Sequence, residues 1–479
     1  MKINKNWYRD KLYACWLGKN IGGTLGAPYE GVTHTLDIKG YKSKPGEPLP
    51  NDDLDLQLLW LYVLECHGAE NLNQNMLAEY WIDWIPPHWN EYGIAKTNLK
   101  DGFLPPLSGE LDNKRWQTSN GAWIRSEIWA AFAPGFSDIA MKYAAMDAMV
   151  DHGISEGTYA EMFTAALQSL AYYESDIRKL IDIALMKIPE ECRIAKAVKL
   201  VVDAYDAGEP YLRVREKLVE QSRDIGMFQS PANIGFVVIG LLYGEGDFKK
   251  SLICAINCGD DTDCTGATVG ATLGIIGGTQ IIPDDWREYI GDRIVMVALN
   301  GQGTYHLPQS CTELTDRIMK VMPSLMKHND VELEFTDDEA EFPAEMYEKF
   351  NNKTVGQLLH LGKYSYEILC YAPFSVSVDI LDNPKVNSFD RRRVRISFFN
   401  NFQNAKRLKL RMILPDGWSA VLSKKNLLVE MKLNQSAEGD SVTVDVTAGE
   451  KIETVNKLYL EVTGDMFAQD VLIPIFFAG

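Results

Sequence analysis

Residues 260–265 place three carboxylates (Asp260, Asp261, Asp263) and two hydroxyls (Thr262, Thr265) in six consecutive positions, directly ahead of the small-residue run 267–278. Glycines in that run let a helix approach its neighbours closely, so the acids lead into a segment suited to the interior. Acids crowded in a partly buried place repel one another, and their pKa values rise unless a cation compensates, which points to a hard, oxygen-loving ion such as Mg²⁺. The same residues also suit an acidic turn capping a helix, because Asp and Thr are good N-cap residues and Asp favours the first turn. Both readings stand on this stretch alone. A second cluster, Asn51-Asp52-Asp53, precedes an apolar helical repeat through Leu54, Leu58, Leu61 and Cys66. Asn51 suits the N-cap and the two acids the first turn, from which side chains reach past the helix end and can share a cation with acids on another helix. Two clusters of matching design favour metal, with Asp52, Asp53, Asp261 and Asp263 as ligands for two Mg²⁺ ions.

The rest of the chain divides in two. Residues 5–21 read as a helix with Trp7, Tyr8, Leu12, Cys15, Trp16 and Ile21 near one face. Gly22, Gly23, Gly26 and Pro28 are expected to stop it, and Glu30, alone an ordinary loop acid, ends that turn. An aromatic-rich helix over 76–92 breaks at Pro86-Pro87, 100–117 reads as loop, and Ser119-Asn120-Gly121 is a small polar turn that could seat phosphate at a helix start. His152-Gly153 closes a helix over 139–150, where a histidine can cap or pack as well as bind. Helical periodicity continues to about 325. An acidic stretch (331–345) follows, and then nine alternating segments from YSYEILCY to VLIPIFF, which suggest an immunoglobulin-like β-sandwich. The expected domains are a helical unit (1–328), an acidic connector (329–358) and a sandwich (359–479).

At 479 residues the chain exceeds one ordinary core. No window approaches the roughly 18 apolar residues of a membrane span, and the charged N-terminus lacks a signal-peptide core, so a soluble cytoplasmic protein with no membrane partner is expected. A net charge of −18 without a basic cluster argues against a nucleic-acid partner. The eight cysteines form no CxxC pair and imply no disulfides. Cys254, Cys258 and Cys264 evoke zinc, but their neighbours are carboxylates, which prefer harder ions.

Five stretches carry a family likeness: LGAPYEG (25–31), NDDLDLQLLWL (51–61), SNGAWIR (119–125), DHG (151–153) and NCGDDTDCTGATVGATLG (257–274). Together and in this order they resemble the ADP-ribosylglycohydrolase family, over roughly residues 8–300. The resemblance implies an all-α bundle with a di-magnesium centre, here followed by a sandwich similar to accessory domains of carbohydrate-active enzymes. Asp52 and Asp53 match one pair of metal-binding acids, Asp261 and Asp263 the other, and Glu30 a glutamate kept beside the metals. Asn51 stands where the family usually has Thr, Gly23 where it commonly has Asp, and Cys264 where it has a hydroxyl ligand. With Cys264 a poor Mg²⁺ ligand, Asn51 and Thr265 are the expected neutral ligands, and Asp55 and Asp260 are further acids able to complete the shells. The implied activity is hydrolysis of an N- or O-glycosidic bond to ADP-ribose or a related ribosyl compound, free or protein-linked. Glu30, Asp52 and Asp261 would be catalytic, and Ser119, Asn120, Gly121, His152 and Gly153 would hold the diphosphate. Two other readings stay open: a hydrolase of a different glycoside, and a non-catalytic, crystallin-like member of the fold. Oligomeric state is not legible.

Overall fold

The computed structural model describes residues 1–299, 306–338, 364–368, 371, 373–464 and 470–479. Most of the expected connector (339–358), the start of the expected sandwich and Cys370 lie outside the described residues. Up to residue 328 the described chain is helical: α1 (Lys5–Gly26), α2 (Asp52–His67), α3 (Gln74–Trp84), α4 (Asn90–Asp101), α5 (Leu107–Glu110), α6 (Glu127–Phe132), α7 (Ser137–His152), α8 (Glu156–Ala171), α9 (Ile177–Leu185), α10 (Arg193–Asp206), α11 (Tyr211–Gln221), α12 (Ser230–Tyr243), α13 (Phe248–Ile256), α14 (Thr262–Gly277), α15 (Asp284–Ile290) and α16 (Cys311–His328). Among the described residues no helix is long and apolar enough to cross a membrane.

The central contact is α1 against α14, running antiparallel. Gly18, Gly22 and Gly26, one turn apart, face the backbone of Gly270, Gly266 and Thr262, and Gly274 faces Ala14. A Cβ on any of these glycines would enter the opposing main chain. The expectation that Gly22 and Gly23 end α1 is therefore corrected. Each glycine costs a helix about 1 kcal/mol relative to alanine, and here close packing outweighs that cost. The same contact sets the C-terminal end of α1 beside the acidic N-terminal end of α14, where Thr262 Oγ1 donates to the Gly26 carbonyl at 2.9 Å.

A short parallel pair, β1 (Lys2–Asn4) with β2 (Glu334–Thr336), ties the start of the expected connector back to the N-terminus. The remaining strands are β3 (Ser365–Ile368), β4 (Phe374–Ile380), β5 (Arg391–Asn400), β6 (Lys406–Ile413), β7 (Ser419–Leu422), β8 (Asn426–Val429), β9 (Asp440–Thr447), β10 (Val455–Gly464) and β11 (Val471–Ala478). They form two antiparallel sheets, ordered β11-β10-β6-β8 and β3-β4-β5-β9-β7. Alternate residues such as Val378, Ile396 and Val444 from one sheet and Leu410, Leu460 and Ile473 from the other fill one apolar core. Phe103, Leu107 and Leu111, from the helical part, belong to that core as well.

Candidate active site

Three helix N-termini, those of α2, α4 and α14, open onto one cleft of about 430 Å³. Glu30 enters it from the turn after α1, Asp52 from α2, Glu91 and Tyr92 from α4, Ser119 to Gly121 from the turn before α6, and Asp261, Asp263 and Cys264 from α14. Trp89, Phe228 and Val297 complete its apolar rim.

Helix capping does not account for the acids on α14. Asp176 and Asp247 cap their helices in the ordinary way, each accepting from a backbone N–H. Asp261, at the start of α14, makes no such bond, and its Oδ2 accepts from Asn120 Nδ2 at 2.7 Å. Trp123 Nε1 in turn holds Asn120 Oδ1 at 3.1 Å. No donor reaches Asp261 Oδ1, Asp263 Oδ1 or Asp53 Oδ2, all buried. Buried carboxylate oxygens left without donors are costly unless a cation or proton completes them, and an oxygen-rich donor set of this kind fits a divalent ion.

The electrostatics agree. Burial, with the charge of Asp263 added, pushes Asp52 up to about 7. Burial raises Asp53 and Asp261 well above the usual carboxylate range; neighbouring Asp263 adds to both, and Lys19 opposes the rise at Asp53. Asp263 is raised by burial. Glu30 is exposed at the mouth, yet partial desolvation and the charges of Asp263 and Asp52 push it up to about 7. Beneath the acids, fully buried Lys19 and Glu127 pair at 3.1 Å, and Gln57 Nε2 bridges from the Asp53 carbonyl (2.7 Å) to Glu127 (3.1 Å).

The expected site residues divide by depth. Glu30, Asp52, Asp261, Asp263, Ser119, Asn120 and Gly121 line the cleft. Asp53 stands directly behind, where Cys264 Sγ donates to its Oδ1 at 3.3 Å. Asn51 is the cap of α2, its Oδ1 accepting from Asp53 N at 2.9 Å and its amide turned to the bare Cα of Gly23. His152 lies behind Ser119, its Nε2 3.1 Å from Ser119 Oγ and its Nδ1 2.9 Å from Asp151, and buried Gly153 (φ 63°) packs on Glu110. Thr265, expected as a ligand, does not line the cleft: one residue along the helix turns it about 100° away from the wall that Cys264 occupies, and its hydroxyl donates to the Thr262 carbonyl at 3.3 Å. Nor do the spare acids Asp55 and Asp260 line the cleft. Asp55 Oδ2 accepts from the N–H groups of Val297 (2.7 Å) and Ala298 (2.5 Å), and Asp260 Oδ1 from Phe228 N at 2.8 Å.

Sequence reasoning missed Glu91 and Tyr92, along with the Lys19–Glu127 pair. The polar start of α4 directly after Pro86-Pro87 is a helix-initiation signal that would have located the first two. Buried Arg125 bonds Asp147 at 2.9 Å and Asp151 at 2.8 Å and holds the Gly121 carbonyl at 2.5 Å, which fixes the Ser119–Gly121 turn from below.

Among solved structures, the chain is similar to an ADP-ribosylglycohydrolase-related protein complex at 16% identity (TM-score 0.47, covering 67% of this chain and 100% of that one). It also matches a FixG-related protein from Vibrio parahaemolyticus at 12% identity (TM-score 0.19, covering 22% of this chain and 97% of that one). No curated protein matches it. The ADP-ribosylglycohydrolase family model matches residues 4–322, a span holding every acid of the cleft and the α1–α14 contact that assembles them, and the chain belongs to that family.

Proposed function

We propose that this chain is a divalent-metal-dependent hydrolase, expected to use Mg²⁺, that cleaves an N- or O-glycosidic bond to ADP-ribose or a related ribosyl compound. The observation that carries the reading is the set of buried, donor-free oxygens on Asp53, Asp261 and Asp263, gathered at a cleft that Glu30 overlooks. Asp52, Asp53, Asp261 and Asp263 would hold the metal, whose positive charge would orient ribose hydroxyls and acidify a water. Glu30 would take the proton of the attacking water as its oxygen bonds the anomeric carbon. The glycosidic bond breaks, and the proton passes on to the leaving group. Asn120 keeps Asp261 in place by its 2.7 Å bond, and the Ser119–Gly121 turn, fixed by the Ser119 hydroxyl donating to the Trp116 carbonyl at 2.6 Å with His152 behind it, would seat the diphosphate. Trp89 and Phe228 give a flat apolar rim suited to a base or sugar face.

The proposed organisation is a helical catalytic unit (1–328), a connector (329–358) and an immunoglobulin-like accessory sandwich (359–479), in a cytoplasmic protein. Asp261→Asn tests the reading. Turnover of ADP-ribosylated substrates should vanish while the far-ultraviolet circular dichroism stays that of the parent. Normal turnover by the variant would overturn the metal assignment. Titration of metal-stripped protein with Mg²⁺, with and without ADP-ribose, tests the substrate. Tighter binding with ADP-ribose supports the ribosyl substrate, whereas Mg²⁺ binding indifferent to it points to another glycoside.

A further inference from the structure

Within the metal centre, one donor is of the wrong type for Mg²⁺. One donor atom each of Asp261, Asp263 and Cys264 lies within 4.8 Å of the others, and all three residues line the cleft. Cys264 Sγ donates to Asp53 Oδ1 at 3.3 Å and lies against Asp261 as well, weak thiol contacts that a metal can displace. Asp53 Oδ2, Asp261 Oδ1 and Asp263 Oδ1 are buried around it without donors. Neither Thr265 nor Asp55 nor Asp260 replaces the thiol with an oxygen, since none of them lines the cleft that Cys264 enters.

We infer that the Cys264 side of this centre is built for a borderline transition-metal ion of the Mn²⁺, Fe²⁺, Co²⁺ or Zn²⁺ class, bound through the Cys264 thiolate together with Asp261 and Asp263. Mg²⁺ gains nothing from sulfur and would leave the thiol protonated, one ligand short of a hydroxyl-bearing site. A borderline ion gains a metal–sulfur bond: the S–H bond breaks, the proton leaves to solvent, and sulfur keeps the electron pair it shares with the metal. Oxidation states do not change. Cys254 and Cys258 take no part, because Cys258 Sγ donates to the Cys254 carbonyl at 3.3 Å, within α13 and the turn after it.

The inference rests on the metal-centre reading above, and Co²⁺ separates the two. In full-length protein carrying Cys66→Ser, which removes an exposed thiol, bound Co²⁺ should give thiolate-to-metal charge-transfer absorption in the near ultraviolet. Cys264→Ser should abolish that band and lower the preference for Co²⁺ over Mg²⁺ by about tenfold or more, whereas Cys254→Ser should change neither. Metal analysis of the parent protein after dialysis against equal Mg²⁺ and Co²⁺ gives the preference without any variant at position 264, and retained Co²⁺ is expected. If Mg²⁺ binds but bound Co²⁺ gives no band, or the band survives Cys264→Ser, the thiolate assignment falls and the hydrolase reading stands. If neither ion binds, both fall.

Discussion

Asp52, Asp53, Asp261 and Asp263 sit close together with their charges only partly offset by Lys19, and that makes stability depend on pH in an unusual direction. Without metal these carboxyls hold protons more tightly in the folded chain than in the unfolded one, where Asp titrates at about 3.9. The contribution of Asp52 is therefore complete below about pH 4 and is lost as pH rises through about 7, and Asp53, Asp261 and Asp263, also raised, add with the same sign. The metal-free melting temperature should fall by several degrees from about pH 5 to about pH 8. A saturating divalent ion should restore more at the higher pH, since it replaces protons. A metal-free melting curve that improves over that window would sink this account. Gly23 and Asn51 are a second residue-level pair. A Cβ at position 23 would strike the Asn51 amide, so Gly23→Ala should destabilise by about 1–3 kcal/mol despite alanine's better helix propensity. Asn51→Thr, shorter but still a cap, should relieve most of that loss. A urea-denaturation double-mutant cycle would read the coupling, and strict additivity would dissolve the pair.

Among the elements, α1 and α14 determine where the acids meet. Gly270→Ala places a methyl against the Gly18 carbonyl, a backbone atom that cannot rotate aside, and should cost about 3 kcal/mol in unfolding free energy. Gly40→Ala, with open space around it, is the matched control and should be near neutral. If both substitutions are neutral, the helices are not held at glycine contact. This interface also shows what was legible in the sequence. The small-residue run after Asp263 announced close packing, but its partner glycines on α1 read as a helix stop, because local propensity carries no information about a neighbour 250 residues away. Asp52, Asp53, Asp261 and Asp263 were legible because capping chemistry and metal ligation both use helix N-termini in recognisable patterns. Thr265 was misplaced because a single-residue choice between Cys264 and Thr265 depends on helix phase, which spacing alone leaves open. The nine strands among the described residues of the C-terminal part were legible because alternation of period two is unambiguous where one face is buried. The β1–β2 pair is too short to show a period, and the stripe of α4 (Tyr92, Ala95, Leu99) is sparse among polar residues.

At the scale of the whole molecule, α4 links the cleft to the sheets. Its first residues, Glu91 and Tyr92, line the cleft, while Asn98 near its other end donates to the carbonyls of Ser108 (2.8 Å) and Leu111 (2.7 Å). That segment inserts Phe103, Leu107 and Leu111 into the core of the sheets, with Phe103 edge-on to Phe476 at 6.0 Å. Gln74 Nε2 adds a bond to Glu367 at 2.8 Å, and Lys385 pairs with Asp112 at 2.5 Å. The ion pair is exposed and contributes little, so apolar insertion is the part that couples the two regions. Leu107 is fully buried in that shared core, and Leu107→Ala should cost about 2–4 kcal/mol, the usual range for such a cavity. The loss falls on a contact shared by both regions, so helical and strand signals should unfold together in the parent and shift together in the variant. Thermal melts followed at a helix-sensitive and a strand-sensitive wavelength would show it. Two separated transitions, of which only the strand one moves, would mean that the sheets ride on the helical part without supporting the cleft wall.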